Sequence, residues 1–157
     1  MSHRVRCVAA STLVACAALL GPAAAAQASD AGIRATVKDD LPKIIRSQAK
    51  ILDGIATLQQ KKSVTALVDA IRAQDRNLSA LHNHLDRESA STASGAKGKT
   101  DLVDGLKLII ASNQTLAKDL AKAAKHQPVS KAQLKAAVEK AKKGNVDLNT
   151  GSKMLKA

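Results

Sequence analysis

Apolar residues separated alternately by three and four positions recur along most of this chain, the spacing of a helix with one buried stripe. The clearest stretch is 41–58, where Leu41, Ile44, Ile51, Ile55 and Leu58 keep the rhythm and Gln48 takes the one polar slot. The stretch returns from Leu106. Leu41-Pro42-Lys43-Ile44-Ile45-Arg46-Ser47-Gln48 aligns with Leu106-Lys107-Leu108-Ile109-Ile110-Ala111-Ser112-Asn113. Each begins with Leu, carries an Ile-Ile pair at the same place, and continues with Ser and a side-chain amide. One helical hairpin used twice accounts for this.

In the first hairpin, Lys61-Lys62-Ser63 reads as the turn, with Ser63 as cap of a second helix over 64–88. Val64, Leu67, Ile71, Leu78, Leu81 and Leu85 form its stripe, with Gln74 in the polar slot. Pro42 places a helix start or kink near residue 40, because its ring clashes with the carbonyl of Lys38. Asp40 then reads as the cap and 29–40 as an entry segment. The stretch 89–100 holds small and polar residues, two glycines and no apolar period, so it reads as a flexible linker. The second hairpin opens at Thr100 or Asp101 and turns at 126–130, where Pro128 forbids one continuous helix. Its last helix follows Ser130 with Leu134, Val138 and Ala141 inward. Lys142-Lys143-Gly144 has the signature of a helix end, so a break is expected there. A short tail would continue the spacing through Asn145, Leu148, Ser152 and Leu155.

The predicted fold is therefore all-α: an antiparallel four-helix bundle of two similar helical hairpins, over 41–88 and 101–157, with both turns at one end. Hydrophobic residues make up 45% of the chain, which suffices for a core, but Phe, Trp and Tyr are absent. The core has to be built from Leu, Ile, Val and Ala, which favours closely set helices.

Residues 1–28 resemble a bacterial secretory signal peptide. His3, Arg4 and Arg6 form a charged start, and 8–20 is an apolar, Ala-rich run too short to span a membrane comfortably. Small-x-small sites end at Ala26 and Ala28, and the second is the preferred cut. Leu13-Val14-Ala15-Cys16 resembles a lipoprotein box, which offers lipidation at Cys16 as the alternative. Cys7 and Cys16 are the two cysteines of the chain, so removal of this segment leaves no thiol. The implied address is the bacterial envelope or extracellular space.

Gln48, Gln74, Asn113 and Asn145 sit at comparable distances from their turns, so in such a bundle they form one polar layer. That layer admits three readings: a seat for a small ligand or water, a device that fixes helix register, or side chains that reach solvent at the seam edge. Enzyme signals are missing. Neither Glu88 nor Glu139 is followed by His at the third position, as di-metal bundles require. His82 and His84 point to different sides of a helix. Gly95-Ala96-Lys97-Gly98-Lys99-Thr100 lacks the strand that precedes a phosphate-cradling loop. No cofactor, metal or catalytic residue is expected.

Charge is the functional lead. The formal net charge is +12, and from Lys97 onward every basic residue is Lys. Lys118, Lys122 and Lys125 form a stripe away from the apolar seam, Lys131 and Lys135 form another beyond the turn, and Lys61 and Lys62 mark the other turn. With both turns at one end, these seven lysines crowd one pole. Lys contacts phosphate as a point charge, whereas base reading favours Arg, so sequence-specific nucleic-acid binding is not expected. The partners that fit are anionic wall polymers or lipid head groups. The competing reading is a bundle that binds a small ligand or a protein partner through its interior amides or an apolar groove.

Overall fold

The computed structural model describes residues 30–61 and 63–155, without the side chain of Lys61. The expected signal segment with Cys16, and Lys62, lie outside the described residues. Among the described residues four helices follow one another: α1 (Ala31–Lys61), α2 (Thr65–Arg87), α3 (Ala93–Ala124) and α4 (Lys131–Met154). No strand occurs among the described residues. The helices pack as a bundle. α3 and α4 share the most extensive contact, α1 packs on α2, and α2 packs on α3, while α1 and α4 form no close-packed pair. No described helix is long and apolar enough to cross a membrane.

The buried side chains fall into two clusters. One gathers Ile33, Leu81, Leu85, Leu102, Leu106 and Leu155, from the start of α1, the α2–α3 connection and the end of α4. The other gathers Ile51, Leu67, Ile71, Leu116 and Leu120, with Leu134 against it. Both hairpin turns therefore lie at the second cluster's end, and the α2–α3 connection lies at the first. Between the clusters Asn113 Nδ2 donates to Gln74 Oε1 at 3.1 Å, with both residues fully buried.

Two expected breaks are helical. α1 starts at Ala31 and runs through Pro42 without ending, so residue 40 is not its start. An internal proline forfeits one backbone hydrogen bond. Burial of Ile33 in the core at 0% exposure holds the preceding turns in place. Asp40 is not a cap but a buried anchor: its carboxylate meets Lys43 Nζ at 2.7 Å and His84 Nδ1 at 2.5 Å. Burial pushes Asp40 up, but the hydrogen bonds from Lys43 and His84 outweigh it and hold the carboxyl below its usual range.

The expected linker 89–100 is instead mostly the first two turns of α3. Thr92, not Thr100 or Asp101, is the cap: its Oγ1 accepts from Gly95 N at 2.9 Å and donates to Asp30 Oδ2 at 2.5 Å. The Thr92 hydroxyl, with Ser91, holds the Asp30 carboxyl below its usual range. Lys99 Nζ donates to the carbonyls of Asp86 and Glu88, closing the α2–α3 corner. The reason a Gly-rich segment is helical lies in α4. Gly98 faces Gly151, Gly105 faces Gly144, and Ser112 Oγ donates to the Ala137 carbonyl at 2.7 Å. These pairs recur every seven residues on both helices, the antiparallel register of a close-packed seam. An added Cβ on Gly105 would lie 2.7 Å from the Gly144 carbonyl oxygen. Glycine here permits close backbone approach.

The same seam explains why α4 does not break near residue 143. Gly144 is buried inside a continuous helix that runs to Met154. Ser130 caps that helix as expected, accepting from Gln133 N at 3.3 Å. Ser63 does not cap α2: Val64 is at the N-cap position and no side chain caps it.

Candidate functional site

The helix stripe that carries Lys118, Lys122 and Lys125 faces away from α4, along the flank shared with α2. There α2 and α3 enclose a groove of about 370 Å³ near the turn end, rimmed by Arg72, Lys118, Lys122 and Lys125. The space exists because the floor positions on α3 are Ala117 and Ala121, whose side chains end at Cβ. Gln114 lies farther down the helix, and Gln127 closes the upper end.

The end of α3 sets the position of Gln127. Gln127 N donates to the Lys122 carbonyl and His126 N to the Ala123 carbonyl, the paired bonds that finish a helix in a left-handed residue. That residue is His126, with φ 56°, where glycine is usual. The chain thereby turns sharply after Lys125 and brings Gln127 back to the groove.

Lys122 is held from beneath. Its Nζ lies 3.7 Å from Asp119 Oδ1, and Asp119 is 2% exposed. Neither Asp119 oxygen has a hydrogen-bond donor within the described residues. The seven-residue register sets Asp119 opposite the first turn of α4, where backbone N–H groups and the helix dipole favour a carboxylate. Arg72 makes a long, exposed pair with Asp69, at 3.9 Å.

One acid, Asp75, lines the groove. Burial pushes its carboxyl up and a hydrogen bond from Asn113 offsets part of the rise, which leaves it at about 6. Its Oδ1 is buried without a donor. A carboxyl whose folded value lies above its ordinary 3.8 favours the folded state while protonated. That stabilisation is full below the unfolded value and is lost as pH rises through about 6. Asp75→Asn is therefore expected to raise stability at pH 7 and to change it little at pH 4. Allowing for partial solvent screening, the gain is about 1–2 kcal/mol. Urea denaturation at the two pH values measures it, and an equal effect at both contradicts the assignment.

Of the seven lysines picked out from the sequence, the structure brings Lys118, Lys122 and Lys125 together in this groove. Lys131 and Lys135 stand exposed at the start of α4, at the same end but not on the groove. The side chain of Lys61 and all of Lys62 lie outside the described residues. Arg72, Asp75, Gln114 and Gln127 were not picked out. Arg72 and Asp75 flank the polar slot Gln74, and that proximity was the available signal.

The four seam amides differ in burial. Gln74 and Asn113 pair in the interior, whereas Gln48 and Asn145 are only partly buried. α1 and α4 do not close on each other, which leaves these two residues partly exposed, although Asn145 Oδ1 itself is buried without a hydrogen-bond donor among the described residues. The buried polar positions beside the central pair are Ser47, bonded to the Ile44 carbonyl, and Ser112. Among the described residues no group of three or more His, Cys, Asp or Glu could hold a metal ion. No protein family, no curated protein and no solved structure matches the chain.

Proposed function

We propose that this chain is an exported, non-catalytic helical-bundle protein of the bacterial envelope or its surroundings that binds polyanions through the basic end of its bundle. The observation that carries the reading is the convergence of Arg72, Lys118, Lys122 and Lys125 from two helices on one groove. Lys131 and Lys135 at the same end extend the field beyond the groove. An excess of cations against low-dielectric walls concentrates anionic partners. Anionic wall polymers and lipid head groups are the partner classes that fit. Two similar hairpins, read from the repeat of 41–48 at 106–113, supply the scaffold.

The competing reading, a ligand held by the interior amides, has less room because Asn113 Nδ2 is already committed to Gln74 Oε1, although Asn113 Oδ1 is buried without a donor among the described residues.

The test is equilibrium binding to long-chain polyphosphate and to phosphatidylglycerol vesicles over a salt series. Neutralising about three or four phosphates releases their counterions, so affinity is expected to fall roughly 20- to 50-fold between 50 and 200 mM salt. Lys118→Gln with Lys125→Gln should weaken binding and flatten that slope. Binding that ignores salt, or that the double substitution leaves unchanged, rules the reading out.

A further inference from the structure

The flank groove differs from the rest of the basic end in being concave and in holding an acid among its cations. The groups that face Asp75 can be named from each element. Arg72 lies one turn before it on α2. From α3, Asn113 donates to it, and Lys118, Lys122 and Lys125 line the same groove. Asp119 lies beneath Lys122. Neither α1 nor α4 contributes a lining residue.

An ionised Asp75 places a negative charge where an incoming anion would find its cations, so carboxylate and ligand compete for the same field. Protonation removes the competitor and turns a buried acceptor into a donor. Its volume, about 370 Å³, falls at the lower end of the range for sites that enclose a small group.

We propose that this groove seats a phosphate link of a soluble anionic chain, and that Asp75 takes up a proton as the link binds. The inference rests on the polyanion reading above and gives it a location and a ligand chemistry. Phosphate suits rim ammonium groups that act as point charges. A soluble chain is favoured over a bilayer because the groove is recessed and no large apolar side chain lines it. The exposed large apolar residues Ile45, Leu52 and Val146 are on α1 and α4, so nothing at this rim enters a membrane interface. The raised value of the Asp75 carboxyl fits the coupling, since a group that titrates near 6 exchanges its proton over mildly acidic pH.

The probe is long-chain polyphosphate, whose interior groups keep one charge each across this interval. Binding to the full chain is measured at pH 7.5, 6.5 and 5.5 at fixed ionic strength. His126 follows the rim residue Lys125, and histidine as a class gains a proton in this range, so every protein compared carries His126→Gln. With Asp75 intact, affinity should rise about five-fold from pH 7.5 to 5.5, the effect of removing one charge several ångströms from the ligand. With Asp75→Asn added, affinity at pH 7.5 should already match the pH 5.5 value and vary less than about two-fold. Ala121→Leu fills the floor without altering charge and should weaken binding about five-fold or more. Carbon-13 titration of the Asp75 carboxyl needs no change at that residue, and saturating polyphosphate should move its midpoint upward by reciprocal linkage.

Parallel pH profiles with and without Asp75→Asn, an unmoved carboxyl midpoint, or unchanged affinity in Ala121→Leu would each overturn the proposal while leaving salt-sensitive polyanion binding in place. Binding to phosphatidylglycerol vesicles with none to polyphosphate overturns it in favour of a membrane partner. Failure to bind either probe at low salt removes the broader reading as well.

Discussion

Gly105→Ala should destabilise the protein by about 2–3 kcal/mol, the usual scale for forcing extra volume into a packed interior. The sign makes the test informative. At an exposed helix position the same exchange stabilises by about 0.5–1 kcal/mol, because Ala loses less backbone entropy than Gly. At Gly105 the new Cβ would lie 2.7 Å from the Gly144 carbonyl oxygen and 2.9 Å from Leu148 N. Both obstacles are backbone, which cannot turn aside as a side-chain tip can, so the helices must separate. Gly144→Ala meets the Gly105 carbonyl oxygen at the same 2.7 Å and should cost a similar amount. The two share one contact, so the double substitution should cost less than the sum. Thermal and urea denaturation report the change. A neutral or more stable Gly105→Ala protein means that α3 and α4 do not meet in this register.

The second large effect concerns the buried amides. Gln74→Leu removes the acceptor for Asn113 Nδ2 in a site at 0% exposure, and a stranded polar group of that kind costs about 1–3 kcal/mol. Replacing both amides, Gln74→Leu with Asn113→Leu, removes donor and acceptor together and joins the two apolar clusters. The double variant should recover part of what Gln74→Leu loses, the remainder being the donor that Asp75 loses with Asn113. Its specificity should suffer as well, as a seam with no polar layer tolerates slipped pairings. Broadened amide NMR spectra at the recovered stability would show that. If Gln74→Leu alone keeps both its stability and a single conformation, the pair does not set register. The double variant also deprives Asp75 of the hydrogen bond that lowers it, so that carboxyl should titrate higher still.

These residues show where the sequence was legible. In α2, the apolar spacing picked out Leu67, Ile71, Leu78, Leu81 and Leu85, and all are buried. In α3, Leu102, Leu106, Ile109, Leu116 and Leu120 behave alike. A large side chain on a helix face has few alternatives to burial, so position predicts environment. Small residues carry no such information alone. Gly95 and Gly98 look like the makings of a linker, and Gly144 like the end of a helix, until they are read in pairs. Gly98, Gly105 and Ser112 recur every seven residues, as do Ala137, Gly144 and Gly151 on the partner helix. That pattern is visible in the sequence only when both helices are read together and in opposite directions. Pro42 misled for a related reason, since its local penalty was outweighed by burial of Ile33 a few turns earlier. The groove was half legible. Its lysines stand out as a stripe, but Arg72 and Asp75 gain meaning only when α2 lies beside α3.

Arg34 Nη1 reaches the Leu155 carbonyl at 2.7 Å, so the described chain enters and leaves at the end remote from the groove. α1 alone is 31 residues long, which spans about 45 Å. A surface that gripped the polypeptide ahead of residue 30 would hold the lysine-rimmed recess roughly that distance outward. The bundle would then act as a rigid stalk, with its cationic tip pointed into the surrounding medium and clear of the layer to which it is tied.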